Sequence, residues 1–399
     1  MASRTGAPLS CSSEAAAQHY AKGIDLILGS ETGAAEQLDQ ALALDEQFAL
    51  AAAARYLLAK DSQDPAAASY RVRATESVKN ASAWEQQHIS ALFGLIEAPY
   101  ANLAQTEAYL KTAPCDLLVM SQLCGYLIFY GGPSKIERVL NLLETAYPHL
   151  KEDWAYLSRL GFAASEAGDY HRGRMLIEQA LAIRPQALYS IHGLAHVLHD
   201  MNSPEESAQQ LINWLTAHEA TARAGQMYGH VQWHLALAEW QLGQRDTALA
   251  RYHRYCAPNT TTCGPVLTLA DCGGFLLREF LATGETTALP AEVSEHMKKF
   301  EAMLAHPFIA LHIGGLYASA GDTDGLERCT ETVATADADN NRDIALTLLS
   351  ALTNFVRQEY QATVNQLNTI SPAQRVGVGG SRVERILIDL LEQRAQALA

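Results

Sequence analysis

Apolar residues recur every three to four positions along most of the chain, in stretches broken by short polar turns, and they almost nowhere alternate. That spacing puts them on one face of a helix and predicts helix after helix, with no sheet. The stretches also repeat one another. In a chain of 399 residues, beyond the size at which one compact core stops growing, repetition points to an array in which each unit buries its apolar face on the next.

The clearest unit runs from Trp154 to Pro185 and fits the roughly 34-residue tetratricopeptide pattern. Leu157, Leu160 and Gly161 lie in a first helix, Gly168-Asp169-Tyr170 makes the turn, and Gly173, Ile177, Ala180 and Leu181 form a second helix. Small residues such as Gly161 and Ala180 let two antiparallel helices come close while larger ones fill the gap. Weaker copies lie at 37–60, 84–110, 233–252, 311–329 and 349–367. The expected fold is therefore an all-α, tetratricopeptide-like solenoid of αα-hairpin repeats. It forms one domain over 1–399, with halves at 12–150 and 151–399. Segments 254–269 and 282–290, rich in Thr, Pro and Gly, read as irregular loops between repeats.

Composition agrees with helix, since Ala and Leu dominate and only 18% of residues are charged. The net charge of -15 opposes a nucleic-acid backbone and an anionic membrane surface, so both are discounted as partners. The N-terminus lacks a signal-like apolar stretch, which predicts a cytoplasmic protein. Seven scattered cysteines predict free thiols, and the spacing of Cys256, Cys263 and Cys272 does not match a zinc knuckle.

Fourteen histidines are present, and their placement departs from a generic repeat. His192, His196 and His199 fall at i, i+4 and i+7, on one face of a helix, and His230 and His234 repeat the i, i+4 spacing on the next candidate repeat helix. Packed, hydrogen-bonded core histidines are the plain explanation. The repeated spacing favours a site, because two imidazoles one turn apart can chelate a cation or share proton transfer. The glutamate of a zinc-protease helix is absent, since Gly193 and Val231 follow the first histidine of each pair. No cofactor is required by any motif; a transition metal such as zinc on His192, His196, His230 and His234, with Asp271 or Asp200 as carboxylate, stays open beside a metal-free acid/base pocket.

The pairs His192/His196 and His230/Trp233/His234, Asp271 in Leu269-Ala270-Asp271-Cys272, Phe308-x-x-Leu311-His312, and Gly379-Gly380-Ser381-x-x-Glu384-Arg385 together resemble the tetratricopeptide repeat protein 38 family. Trp84-Glu85-Gln86-Gln87-His88 is similar to an Arg-Glu-x-x-His stretch there, with Trp84 in place of arginine. Glu384 and Ile386 replace the glutamine and aspartate of the family's terminal signature. The resemblance implies a site in which His192, His196, His230, His234, Asp271 and His312 are the catalytic candidates and His88, Trp233, Ser381, Glu384 and Arg385 the ligand-binding ones. Ser381 and Glu384 also fit a capping box before the apolar run at 386–391.

Two functions follow. In the first, favoured reading a histidine-rich pocket binds a small polar or anionic molecule, as an enzyme using acid/base or metal-assisted chemistry. In the second a non-catalytic scaffold holds a peptide or partner protein in its groove. The apolar C-terminal helix can cap the array or pair two copies into a homodimer.

Overall fold

A computed structural model describes residues 6–130 and 132–399; the first five residues of the N-terminal segment read above lie outside them. The described residues form helices joined by short turns, without a β-strand. The helices are α1 Glu14–Leu28, α2 Ala34–Leu44, α3 Ala49–Asp61, α4 Ala67–Ser77, α5 Ala83–Glu97, α6 Pro99–Thr112, α7 Leu117–Tyr130 and α8 Lys135–Leu150. They continue as α9 Trp154–Glu166, α10 Tyr170–Ile183, α11 Leu188–Asp200, α12 Pro204–Ala222, α13 Tyr228–Gln241, α14 Arg245–Tyr255, α15 Pro265–Thr283 and α16 Ala291–Lys298. The last are α17 Pro307–Ser319, α18 Thr323–Ala334, α19 Asn340–Val356, α20 Tyr360–Leu367, α21 Pro372–Gly377, α22 Arg382–Arg385 and α23 Leu387–Leu398.

Chain contacts divide these helices into two compact units. The first comprises residues 1–127, 138–194 and 214–227, and the second 128–137, 195–213 and 228–399. This differs from the expected halves at 150, because α7, α8, α11 and α12 each run through a unit boundary. Compactness follows long-range packing, which local sequence periodicity does not report.

In the first unit α1/α2, α3/α4, α5/α6 and α9/α10 pack as neighbouring pairs. The α9/α10 pair is the Trp154–Pro185 repeat, and its ends are set locally. Asp153 accepts from the amides of Ala155 and Tyr156, and Asp169 accepts from Arg172, so each helix starts on a carboxylate cap. The crossing is close enough that a Cβ on Gly161 would lie 2.6 Å from Ile177 Cγ1 and 2.8 Å from the Gly173 carbonyl oxygen. Gly161→Ala therefore costs about 1–3 kcal/mol through overpacking, read as a lower urea midpoint at unchanged slope; an unchanged midpoint would show that the crossing can open freely.

In the second unit α13, α15, α17 and α19 pack successively, while α14, α16, α18 and α20 lie against them as their hairpin partners. That is the order expected of αα repeats. Helix α17 is buried along nearly its whole length, which matches its unbroken apolar character. The C-terminal α23 packs on α20 and α15, with Leu387, Ile388 and Leu391 fully buried. Its apolar face is thus used inside the chain, as a cap. The expected loop at 254–269 is shorter than anticipated, because Pro265 sits in the first turn of α15, where proline lacks nothing a helix needs. Likewise α15 continues to Thr283, leaving 284–290 irregular.

No helix among the described residues is long and apolar enough to cross a membrane. All seven cysteines are free thiols.

Candidate functional site

The site is built on α13. Its i, i+4 pair His230 and His234 is almost completely buried, and the two ring centroids lie 4.7 Å apart. The end of α11 brings His196 against them, 4.4 Å from His234 and 6.2 Å from His230 between ring centroids. His192 lies one turn earlier on the same unbroken helix. The three imidazoles of His196, His230 and His234 each offer a nitrogen, and those atoms lie within 4.8 Å of one another.

His230 and His192 are each oriented by a specific neighbour. His230 Nδ1 lies 2.6 Å from Asp271 Oδ1, and Asp271 is fully buried on α15. A carboxylate can only accept there, so a proton sits on Nδ1. Trp233 lies face to face with His230 at 5.3 Å and donates from Nε1 to the Asp271 carbonyl oxygen at 2.9 Å. Trp233 is completely buried and holds both His230 and Asp271 in place. His192 stacks on Phe162 at 6.1 Å.

Burial and charge prepare the rings unequally. Burial, with the charges of His230, His199 and Arg385 behind it, pushes His196 well below the usual histidine range, so it is neutral at pH 7. Burial also raises the Asp271 carboxyl, with Glu384 adding to the rise and His230 opposing it. For His230 burial acts downward, but the adjoining Asp271 carboxylate outweighs it and holds the proton on the ring.

A second group of polar side chains comes from α15, α17 and α22. His312 Nδ1 lies 2.7 Å from the Phe308 carbonyl oxygen, which fixes that proton and leaves Nε2 buried without a hydrogen-bond partner. Asp271 Oδ2 and Glu384 Oε1 are likewise buried and unpartnered. Each such atom costs on the order of 1–3 kcal/mol unless a ligand or water meets it. Ser381 and Glu384 form the expected capping box: Glu384 Oε2 accepts from the Ser381 amide at 2.6 Å and from its hydroxyl at 2.8 Å. Arg385 donates to the Gly380 carbonyl.

Two buried cations escaped the sequence reading. Arg278 donates to the carbonyls of Gly274 and Val383 and lies 5.6 Å over the Trp233 ring. Burial pulls it down to about 10 against the opposing charge of Glu384. Lys135, fully buried, donates to the carbonyls of Ile128 at 2.7 Å and Gly380 at 2.5 Å. Nothing in the local sequence marks these buried cations, because one carbonyl partner of each lies more than 100 residues away along the chain. Arg278 also lines a cleft of about 230 Å³ with His199, Asp200, Trp240, Arg382 and Leu390.

His306 lies beside this region, and its Nδ1 accepts from the Phe308 amide at 3.3 Å. Burial, assisted by the Lys135 charge and opposed by Asp339, lowers it to about 4. The unfolded chain therefore takes up this proton first. Its stabilising contribution is full above pH 6.5 and is lost as the pH falls through 4, with about 2 kcal/mol gone by pH 5. Asparagine can retain the cap, so His306→Asn should flatten the fall in stability between pH 7 and 5; equal slopes in wild type and variant would contradict this assignment.

His88 is placed in the first unit, where its partner is Asp116 at 2.7 Å. The remaining sequence-predicted residues other than His192, namely His196, His230, Trp233, His234, Asp271, His312, Ser381, Glu384 and Arg385, all belong to the second unit.

The class this fold defines is an all-α helical-repeat protein built of αα-hairpins. No family model matches the sequence. Among solved structures the chain is similar to the TPR domain of P58(IPK), at 12% identity over 96% of this chain and 98% of that one, with a TM-score of 0.23.

Proposed function

We propose that the histidine cluster is a binding centre for one divalent transition-metal ion, and that a small polar or anionic molecule is taken up beside it. The observation that carries this reading is the convergence of three buried imidazole nitrogens, from His196, His230 and His234, within 4.8 Å. An ion bound about 2.0–2.1 Å from each nitrogen places neighbouring nitrogens roughly 3.3 Å apart. The rings need to close by about 1.5 Å at the widest pair, which side-chain rotations supply. An all-imidazole set selects zinc, copper, nickel or iron over calcium or magnesium, which prefer oxygen.

Asp271 is the outer partner that such a centre uses. It fixes the tautomer of His230 and raises the basicity of the ligating nitrogen. Neutral His196 is ready to ligate without losing a proton. Arg278, Arg385 and Arg382 supply positive charge for an anionic group, and unpartnered Glu384 Oε1 and His312 Nε2 supply polar contacts. A bound ion would act as a Lewis acid toward that molecule. Helix-hairpin arrays also serve as peptide scaffolds, but a scaffold gives no reason to bury three imidazoles on one another.

The test is metal titration of chelator-stripped protein with Zn²⁺ or Co²⁺. One equivalent should bind to wild type, and His196→Gln with His234→Gln should abolish it while the helical circular dichroism is kept. Absence of binding to folded wild type, or one equivalent still bound by the double variant, would sink the reading.

A further inference from the structure

The first unit holds a cavity of about 290 Å³, lined chiefly by apolar and aromatic side chains, among them Tyr20, Ile24, Leu28, Trp84 and Leu118. His88 on α5 lines it too, 2% exposed, and is held by a specific constellation. Its Nδ1 lies 2.7 Å from Asp116 Oδ2, which also accepts from the Tyr109 hydroxyl at 2.5 Å. The other carboxylate oxygen of Asp116 accepts from the Val119 amide at 3.3 Å, as a cap on α7. Burial works against the Asp116 charge, but His88, Tyr109 and the Val119 amide together hold its carboxyl below the usual range.

An ionised carboxylate accepts only, so His88 carries its proton on Nδ1 and leaves Nε2 as a lone-pair acceptor. That nitrogen is buried and without a hydrogen-bond partner. Trp84 is fixed beside it, with ring centroids 6.1 Å apart and the indole N–H donating to the Pro8 carbonyl at 3.0 Å. A cavity of this size accepts a molecule of roughly ten heavy atoms. Its walls reward apolar area, and its buried imidazole rewards one hydrogen-bond donor.

We propose that this cavity is a second ligand site, for a small, mainly apolar molecule with one hydroxyl group, of the alkylphenol class, whose O–H donates to His88 Nε2. The aromatic body packs against Trp84, Tyr20 and the aliphatic wall. A carboxylate is disfavoured, because it needs a donor at Nε2 and sits one ring away from the Asp116 charge. The site lies wholly within the first unit and requires no metal.

The test uses the full-length protein in EDTA and three probes of matched size: p-cresol, toluene and p-toluate. Calorimetric titration should give p-cresol about tenfold tighter than toluene, the worth of one well-made hydrogen bond, with p-toluate the weakest. In protein labelled with ¹⁵N-histidine, p-cresol should move the His88 Nε2 resonance while toluene does not. His88→Phe should remove the difference between p-cresol and toluene. If that variant fails to fold, the wild-type ranking and the resonance decide. Equal affinity for p-cresol and toluene, binding of neither, or preference for p-toluate overturns the proposal; because no metal is present, each of these leaves the histidine-centre reading standing.

Discussion

Replacing Asp271 with asparagine should weaken Zn²⁺ binding about 10- to 100-fold while leaving the helices intact. Asparagine has nearly the same shape, so the fully buried site beside Trp233 keeps its packing. What changes is the chemistry of the 2.6 Å contact with His230 Nδ1. A carboxylate can only accept, and so forces the proton onto Nδ1. An amide can also donate, which permits the opposite tautomer and turns the metal-facing nitrogen into N–H. It also removes the negative charge that makes the imidazole a stronger ligand. Competition against a chromophoric chelator measures the affinity, and thermal melts of the metal-free proteins check the fold. Unchanged affinity would mean that Asp271 serves packing alone.

A larger loss of stability is expected at the turn beneath Ser381. Gly380 has φ of +70°, which costs an L-residue roughly 1–2 kcal/mol. A Cβ there would also run into the Phe308 ring and come within 2.7 Å of Glu384 Oε2. Phe308 cannot retreat, since it is buried and packed edge-on against Phe129 at 5.5 Å. The Gly380 carbonyl meanwhile receives Lys135 and Arg385. Gly380→Val should therefore cost about 3–5 kcal/mol, combining backbone strain, overpacking and disturbance of a buried cation. Gly243 separates the terms: its φ is +75°, yet a Cβ there would meet nothing within 4 Å. Gly243→Ala should cost about 1 kcal/mol from strain alone. Similar losses for the two variants in urea denaturation would refute the packing argument at Gly380.

Much of the fold is legible from local pattern. Residues 154–185, 233–252, 311–329 and 349–367 emerge as the helix pairs α9/α10, α13/α14, α17/α18 and α19/α20, because helical periodicity and small residues at crossings are short-range signals. The histidine pairs are legible for the same reason, since i and i+4 share a helical face. The role of Trp233 is not, because burial depends on what α15 places over it. Nor are the companions of His88: Asp116 reads as a helix cap before an apolar run, but nothing in the sequence shows that its other oxygen receives an imidazole from 28 residues away. Lys135 looks like any helix-start lysine until the Gly380 carbonyl, 245 residues on, is brought to it. The unit boundaries through α7, α8, α11 and α12 are hidden likewise, since each of those helices is locally continuous.

X-ray absorption at the metal edge of the Zn²⁺- or Co²⁺-loaded protein tests the central claim most directly. Coordination by His196, His230 and His234 predicts a first shell containing about three imidazole nitrogens at roughly 2.0–2.1 Å, with the outer-ring scattering of imidazole. A shell dominated by oxygen or sulfur, or a spectrum unchanged in the His196→Gln, His234→Gln double variant, would contradict it.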